Sequence, residues 1–191
     1  MKQAPDEAVV SLGVQTHASS AEEAMRENAS KMNAVLEAAR ALGIPADDLA
    51  TAWINVWPRH SDDGLHVIGY TAENQVHVTV REMARVGRVV DRAVGAGANL
   101  AGGVTFRVSD ESRGQEQALA EAMADARARA EALVRAAGAQ LGQVVSVEEI
   151  SSDLPPPVFG EERAVAAQAG TPVEPPTLEI RVTVRVVWLI V

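Results

Sequence analysis

The sequence contains no cysteine, few aromatic residues and no long apolar run. Without cysteine, the chain cannot form disulfide bonds, use a thiol as a nucleophile or bind a metal through thiolates. Aromatic residues make up 3% of its 191 residues, so we expect a core of Ala, Val, Leu and Ile and no aromatic surface on which nucleic-acid bases stack. The apolar runs, such as residues 186–191, are too short to cross a bilayer, and residues 1–7 do not resemble a signal peptide. We therefore expect no transmembrane segment.

The chain is also poor in positive charge. It has 17 Lys and Arg residues against 26 Asp and Glu residues, which gives a formal net charge of −9. An acidic surface repels a phosphate backbone, so nucleic acid is not an expected partner. Hydrophobic residues make up 47% of the chain, which is enough for the packed core of a single domain.

The longest element that the sequence predicts is an amphipathic helix over residues 112–138. Its apolar residues recur at steps of three and four, which places them on one stripe of a helix with 3.6 residues per turn. At about 1.5 Å per residue the helix is about 40 Å long, enough to lie across a sheet. We predict that the whole stripe is buried. Its members are Leu119, Met123, Ala126, Ala130, Leu133, Val134 and Ala137.

Strands are predicted on both sides of this helix from the alternation of apolar and polar residues. Asp63-Gly64 is a turn signal that predicts a hairpin between two of these strands. The predicted elements are a strand over 8–16, a helix that Ser19 or Ser20 begins and Gly43 ends, strands over 51–57 and up to Val80, a helix over 82–95, a strand containing Val104 and Phe106, and, after the long helix, strands over 143–150 and 177–191.

This order predicts an α+β fold of two βαββ-like units, with an antiparallel or mixed sheet packed against the long amphipathic helices. We assign residues 1–191 to one domain with halves 5–81 and 100–191, which the helix over 82–95 links. Residues 151–176 are rich in Pro, Ala and Gly and predict a long loop, which is either flexible or ordered by a partner subunit. A short helix over 161–169 is compatible with the same stretch.

Several turn and packing signals, taken in order, resemble the SIMPL-domain family, also called YggE-like proteins. The resemblance covers nearly the whole chain, although no single signal is specific. The signals are Pro5-Asp6 before the first strand, Gly13-Val14 within it, Gly69-Tyr70 before an alternating valine strand, Gly97-Ala98-Asn99 before the Phe106 strand, Asp125-Ala126-Arg127 in the long helix, Leu141-Gly142, and a Pro-rich loop before a final valine strand.

The resemblance implies an α+β fold, a periplasmic or otherwise extracytoplasmic location in bacteria, and assembly into large ring-like or channel-like oligomers in at least some members. It also implies a link to oxidative-stress protection and, for an animal relative, a role in kinase signalling. It carries no catalytic residues. Family members usually have a signal peptide and a further strand before the Pro-Asp pair, and we interpret their absence here as a trimmed or diverged start.

The residues that often carry chemistry show no pattern typical of an active site. His17, His60, His66 and His77 lack the i,i+4 spacing of a helical zinc site, so we predict surface histidines and no metal or other cofactor. Four acidic pairs are predicted to be solvated: Asp47-Asp48, Asp62-Asp63, Glu148-Glu149 and Glu161-Glu162. No nucleophile elbow and no phosphate-binding loop is present. We therefore predict that the protein is not an enzyme.

The three tryptophans and two arginines are the candidate interface residues. Trp53 and Trp57 fall on one face of a predicted strand and are either core residues or anchors of an interface, where Trp is favoured. Trp188 lies on the apolar stripe of the last strand. Arg181 and Arg185 lie on its polar stripe, where they either pair with acidic residues of a neighbour or are simply solvated.

Three hypotheses for the function follow. The first is a non-enzymatic SIMPL-like protein of the bacterial envelope that forms homo-oligomers and takes part in stress protection. The second is a binding module that captures a protein or peptide with the Pro-rich loop and the hairpin. The third, an uncharacterised hydrolase, has no residue to support it.

Overall fold

The computed structural model describes residues 2–153 and 170–191, which form two compact units. The four-stranded unit comprises Asp6–Arg107 together with residues 170–175, and the ribbon unit comprises residues 2–5, 108–153 and 176–191. Most of the loop predicted over 151–176, including the helix predicted over 161–169, lies outside the described residues.

The described elements confirm the predicted α+β fold, and all the strand pairs are antiparallel. In the four-stranded unit the strand order is β3-β4-β2-β5, and the ribbon unit contains the pairs β6-β8 and β1-β7. The strands are β1 Lys2–Gln3, β2 Glu7–Ala18, β3 Leu49–His60, β4 Val67–Val80, β5 Leu100–Arg107, β6 Leu141–Asp153, β7 Leu178–Glu179 and β8 Arg181–Ile190; the helices are α1 Ala21–Ala41, α2 Val86–Gly95 and α3 Glu111–Ala136.

The core of the four-stranded unit lies between one face of the sheet and the helices α1 and α2. The strand period of two places alternate residues of β2 and β4 on this face, as their sequences predict. Ser20 caps the N-terminus of helix α1, and its hydroxyl accepts a hydrogen bond from the backbone N–H of Glu23. The core includes Val10, Leu12 and Val14 of β2, Val76, Val78 and Val80 of β4, Met32 and Val35 of α1, and Val86 and Val89 of α2.

A buried asparagine joins α1 to two strands of this core. Asn28 is 1% exposed, and its Nδ2 donates to the carbonyl oxygen of Val14 on β2 at 2.7 Å and to that of Ala72 on β4 at 3.1 Å. A polar side chain at this depth is tolerated because both bonds replace those that it would make with water. Asn28 therefore fixes the position of α1 along the sheet.

A second asparagine, directly before the first residue of β5, extends the pairing along β2. The side chain of Asn99 accepts a hydrogen bond from the backbone N–H of Gln15 at 2.7 Å and donates to the carbonyl oxygen of the same residue at 2.8 Å. Its backbone N–H donates to the carbonyl oxygen of Gly13 at 3.0 Å. The amide group of Asn99 thus takes the place of one more residue of a neighbouring strand.

Strand β5, which the sequence placed at the start of the second half, pairs with β2 in the four-stranded sheet. In the ribbon unit, α3 packs mainly on β8. The stripe predicted for α3 is buried only in part, because Leu133 is 72% exposed and Ala137 is also exposed. A sheet of two strands is narrow, since neighbouring strands lie about 4.8 Å apart, and it covers less of a helix than a broad sheet would.

Residues 170–175 form a strap that is attached to α2. The Thr171 hydroxyl and backbone N–H donate to the two carboxylate oxygens of Asp91, at 2.6 and 3.1 Å, and these bonds lower the pKa of Asp91. Val173 packs against the core, and Gly87 lies so close to the strap that an added Cβ would clash with the carbonyl oxygen of Thr171.

Asn28→Ala is expected to destabilise the protein by about 1–3 kcal/mol, because it removes two buried hydrogen bonds. Asn33→Ala is the matched control, since Asn33 is an exposed residue of the same helix and the change in helix propensity is similar. Urea unfolding followed by circular dichroism measures both variants. Equal stabilities of the two variants would contradict the role given to Asn28.

Gly87→Ala is expected to detach the strap, because the new methyl group and the Thr171 carbonyl cannot occupy the same space. Hydrogen exchange of the Thr171 amide, which donates to Asp91, reports the attachment. Gly95→Ala is the control, since a Cβ there meets nothing within 4 Å. Protection of the Thr171 amide should be lost in the first variant and retained in the second.

The attachment of the strap is also expected to depend on pH. A carboxyl group whose pKa is lower in the folded than in the unfolded chain adds stability above its unfolded pKa, and this stability is lost as the pH falls through the folded pKa. Protection of the Thr171 amide, corrected for intrinsic exchange, should therefore decrease in the acidic range where Asp91 is protonated. In Asp91→Asn it should already be low at neutral pH.

Candidate interaction surface

The strands β3 and β4 carry a cluster of exposed apolar side chains, which we call the hairpin surface. Strand β3 is an edge strand, so one side of its backbone has no neighbour among the described strands. Relative exposures range from 38% for Trp57 to 76% for Leu65. The hairpin surface consists of Ile54, Val56 and Trp57 on β3, Leu65 in the turn, and Val67 and Ile68 at the start of β4.

Both faces of β3 contribute to the hairpin surface. Ile54 and Val56 pair with Asn74 and Ala72 and lie on the face that bears the helices. Trp57 pairs with Thr71 on β4, on the face of the sheet opposite the helices. A strand that is apolar on both faces and open at one edge is a typical site of association, because a partner can cover its side chains and pair with its free backbone groups at the same time.

Trp53, the other tryptophan of β3, lies on the same face as Trp57 but is only partly exposed. The register of β3 shifts between Thr51 and Trp53, and the regular pairing from Trp53 onwards keeps the two tryptophans on one side. Trp57 is therefore the more accessible of the two predicted anchors.

The turn of the hairpin is held by its own hydrogen bonds. The carboxylate of Asp63 accepts from the Ser61 hydroxyl and from the backbone N–H of Leu65, and these bonds lower the pKa of Asp63. Gly64 has a φ of 73°, which a residue without a side chain adopts readily, so the turn predicted at Asp63-Gly64 is confirmed. This arrangement presents Leu65 at the tip of the hairpin in a defined position.

The three candidate residues on β8 lie on two different faces. Trp188 is half-buried and lies on the same face of β8 as Val184 and Val186, which is the face on which α3 packs. Arg181 and Arg185 are exposed on the other face, where each has an acidic neighbour within the chain: Glu179 at 3.5 Å and Glu148 at 3.2 Å.

His17 and His77 lie apart from one another in the sheet register. The Nδ1 of His17 is 2.9 Å from the Thr71 hydroxyl, and the Nδ1 of His77 is 3.1 Å from the Ser11 hydroxyl. His60 and His66 are exposed at the hairpin. Across residues 2–153 and 170–191, no three side chains of His, Asp or Glu are grouped in a way that could hold a metal ion.

The acidic pairs differ in their surroundings. Asp48 was predicted to be solvated, but it is 8% exposed, and its carboxylate accepts a hydrogen bond from Arg81 at 2.6 Å. This prediction was wrong because the short 3-10 helix Ala46–Asp48 lies beside β4, where the Asp48 carboxylate meets Arg81, the residue that follows β4. Glu148 lies beside Arg185, and Glu149 accepts from Gln115, while Glu161-Glu162 lies outside the described residues.

Two features of the structure were not predicted from the sequence. One is the exposed apolar character of β6, where Val144, Val145 and Val147 are all more than half exposed. Adjacent valines on a strand point to opposite faces, so this sequence carries the same two-sided signal as β3. The other is Asp91, for which the sequence gives no signal because its partner is 80 residues away.

The described part of the chain contains no helix with the length and apolar character needed to span a membrane.

Comparisons with known proteins identify the family of this chain. Residues 1–188 match the SIMPL family, described as "Protein of unknown function (DUF541)". The chain is also 35% identical over 178 residues to the 26 kDa periplasmic immunogenic proteins of Brucella melitensis and Brucella abortus, an alignment that covers 88% of this chain and 71% of each relative. The resemblance read from the turn and packing signals is thereby confirmed, and the chain belongs to the SIMPL family.

Proposed function

We propose that this protein is a non-enzymatic, homo-oligomer-forming SIMPL protein of the bacterial envelope that contributes to stress protection. The observation that carries the proposal is the hairpin surface, where Ile54, Val56, Trp57 and Leu65 expose apolar side chains around an open strand edge. Its extracytoplasmic location is supported by the two Brucella relatives, which are named periplasmic proteins. The link to oxidative stress rests on the resemblance to the family.

A second copy of the chain is the partner that we propose for the hairpin surface. Exposed apolar patches on folded proteins mark surfaces that another molecule covers. Trp57 belongs to a residue type that is often found at the energetic centre of an interface. The hydrogen bonds of the turn already fix the backbone at Leu65, so Leu65 loses less conformational entropy on binding. We expect Trp57 and Leu65 to supply most of the apolar contact.

The alternative is a module that binds another protein or a peptide with the same hairpin and the Pro-rich loop. The hairpin surface supports this reading equally well, because an open strand edge also accepts a peptide as an additional strand. The state of the protein in solution separates the two proposals. A discrete oligomer favours the first, and a monomer at all concentrations favours the second.

Leu65→Lys is expected to weaken self-association about tenfold or more, since it places a charge at the centre of an apolar contact. Val94→Lys is the matched control, because Val94 on α2 is also an exposed apolar residue, at 55% against 76% for Leu65, and lies outside the hairpin surface. Light scattering on a sizing column, over a series of concentrations, measures the oligomer. A wild-type protein that stays monomeric, or equal effects of the two variants, would contradict the proposal.

A further inference from the structure

The ribbon unit ends in two strand edges that have no partner among the described residues. β6 pairs only with β8 in the described chain, and β8 only with β6, so the outer edge of each is open. Two-stranded sheets are marginally stable without further strands or packing. Since α3 packs mainly on β8, it leaves Val144 and Val147 of β6 more than half exposed.

The two strands carry opposite charges on the face away from α3. Arg185 of β8 lies opposite Glu148 of β6, and Arg181 of β8 is exposed on the same face as Arg185. The side chains of Arg185 and Glu148 are 64% and 63% exposed, so each can bind a second partner on its other side. One edge of the ribbon is therefore basic and the other is acidic.

This charge pattern distinguishes between the ways in which two ribbons can join. If two β8 strands paired with each other, arginines would face arginines, and if two β6 strands paired, carboxylates would face carboxylates. Like charges on directly opposite residues destabilise a strand pair. Pairing of β8 with the β6 of a second copy instead brings Arg185 to Glu148 of that copy.

We propose that β8 of one copy pairs with β6 of the next copy, in a head-to-tail contact between copies of this chain. The inference rests on the proposed self-assembly and names the strands that carry it. Because β6 and β8 are antiparallel within one chain, copies related by rotation about an axis roughly parallel to the strands form a sheet in which every neighbour is antiparallel. The contact lies along the regular run from Ser146 to Glu149.

The same arrangement covers the apolar residues that the ribbon leaves exposed. In the joined sheet, β6 of the next copy lies beside β8, the strand on which α3 packs. Val144 and Val147 of that β6 pair with Trp188 and Val186 within their own chain, so they point to the side on which α3 lies. The helix of one copy thus shields valines of the next.

The test uses two charge reversals, separately and mixed. In Glu148→Lys and in Arg185→Glu, the contact between copies becomes repulsive, and each variant alone is expected to assemble only at about tenfold higher concentration than the wild type. In an equal mixture, Arg185 of the first variant meets Glu148 of the second, as in the wild type. Where β8 of the Arg185→Glu variant meets β6 of the Glu148→Lys variant, the two substituted side chains face each other, and they too are opposite in charge. Light scattering should therefore show wild-type assembly in the mixture.

The mixture shows whether assembly depends on the contact between residues 148 and 185 of different copies or on the contact between the same two residues within one chain. The pair within each chain stays repulsive in the mixture, so failure to recover assembly would overturn the inference. Normal assembly of Glu148→Lys alone would overturn it too, because assembly would then not depend on the charge that β6 presents to β8 of the next copy. Circular dichroism and urea midpoints check that both variants are folded, and weakening of wild-type assembly by salt is a readout that needs no substitution.

The outcomes also separate this inference from the proposed function. A monomeric wild type would overturn both. An oligomer that Leu65→Lys disrupts, but that both charge variants form as readily as the wild type, would overturn only the pairing of β8 with β6.

Discussion

Each strand has backbone N–H and C=O groups on both sides that need partners, and this constraint governs most of the structure. Strand β2 satisfies it on both sides over residues 8–13, where it lies between β4 and β5. Just before β5 begins, the side chain of Asn99 continues the pairing with Gln15. The side chain of Asn28 binds the carbonyl oxygens of two strands from the helix side. Two amide side chains thereby supply hydrogen-bond partners to backbone groups in the central part of the sheet.

The same constraint is not satisfied at β3, β6 and β8 by the described residues of a single chain. Each of these strands has one open edge, and β3 and β6 also expose apolar side chains. Open, apolar strand edges favour association, which proteins either prevent with charges or use for assembly. In the proposed assembly, the opposite charges of β6 and β8 favour pairing of β8 with β6 of the next copy over pairing of like strands.

The alternation of β2, β4 and β8 and the turn at Asp63-Gly64 were predictable because they depend on residues close together in the sequence. The N-terminus of α1 at Ser20 was predictable for the same reason. The partial burial of α3 was not, since whether Leu133 is covered depends on the width of the sheet beneath it. Likewise the surroundings of Asp48 depend on Arg81, which is 33 residues away.

The candidate surface was predictable in part. Trp57 was among the predicted interface residues because of its type and its place on a strand, whereas the exposure of Leu65 and of the β6 valines follows from which strands lie at an edge. The sequence by itself determined the element types, the apolar faces and the family, since local periodicity and turn chemistry specify them. Only the tertiary structure decided that β5 joins β2, that the strap binds Asp91 and which strand edges stay open, because contacts between residues far apart in the chain leave no local pattern in the sequence.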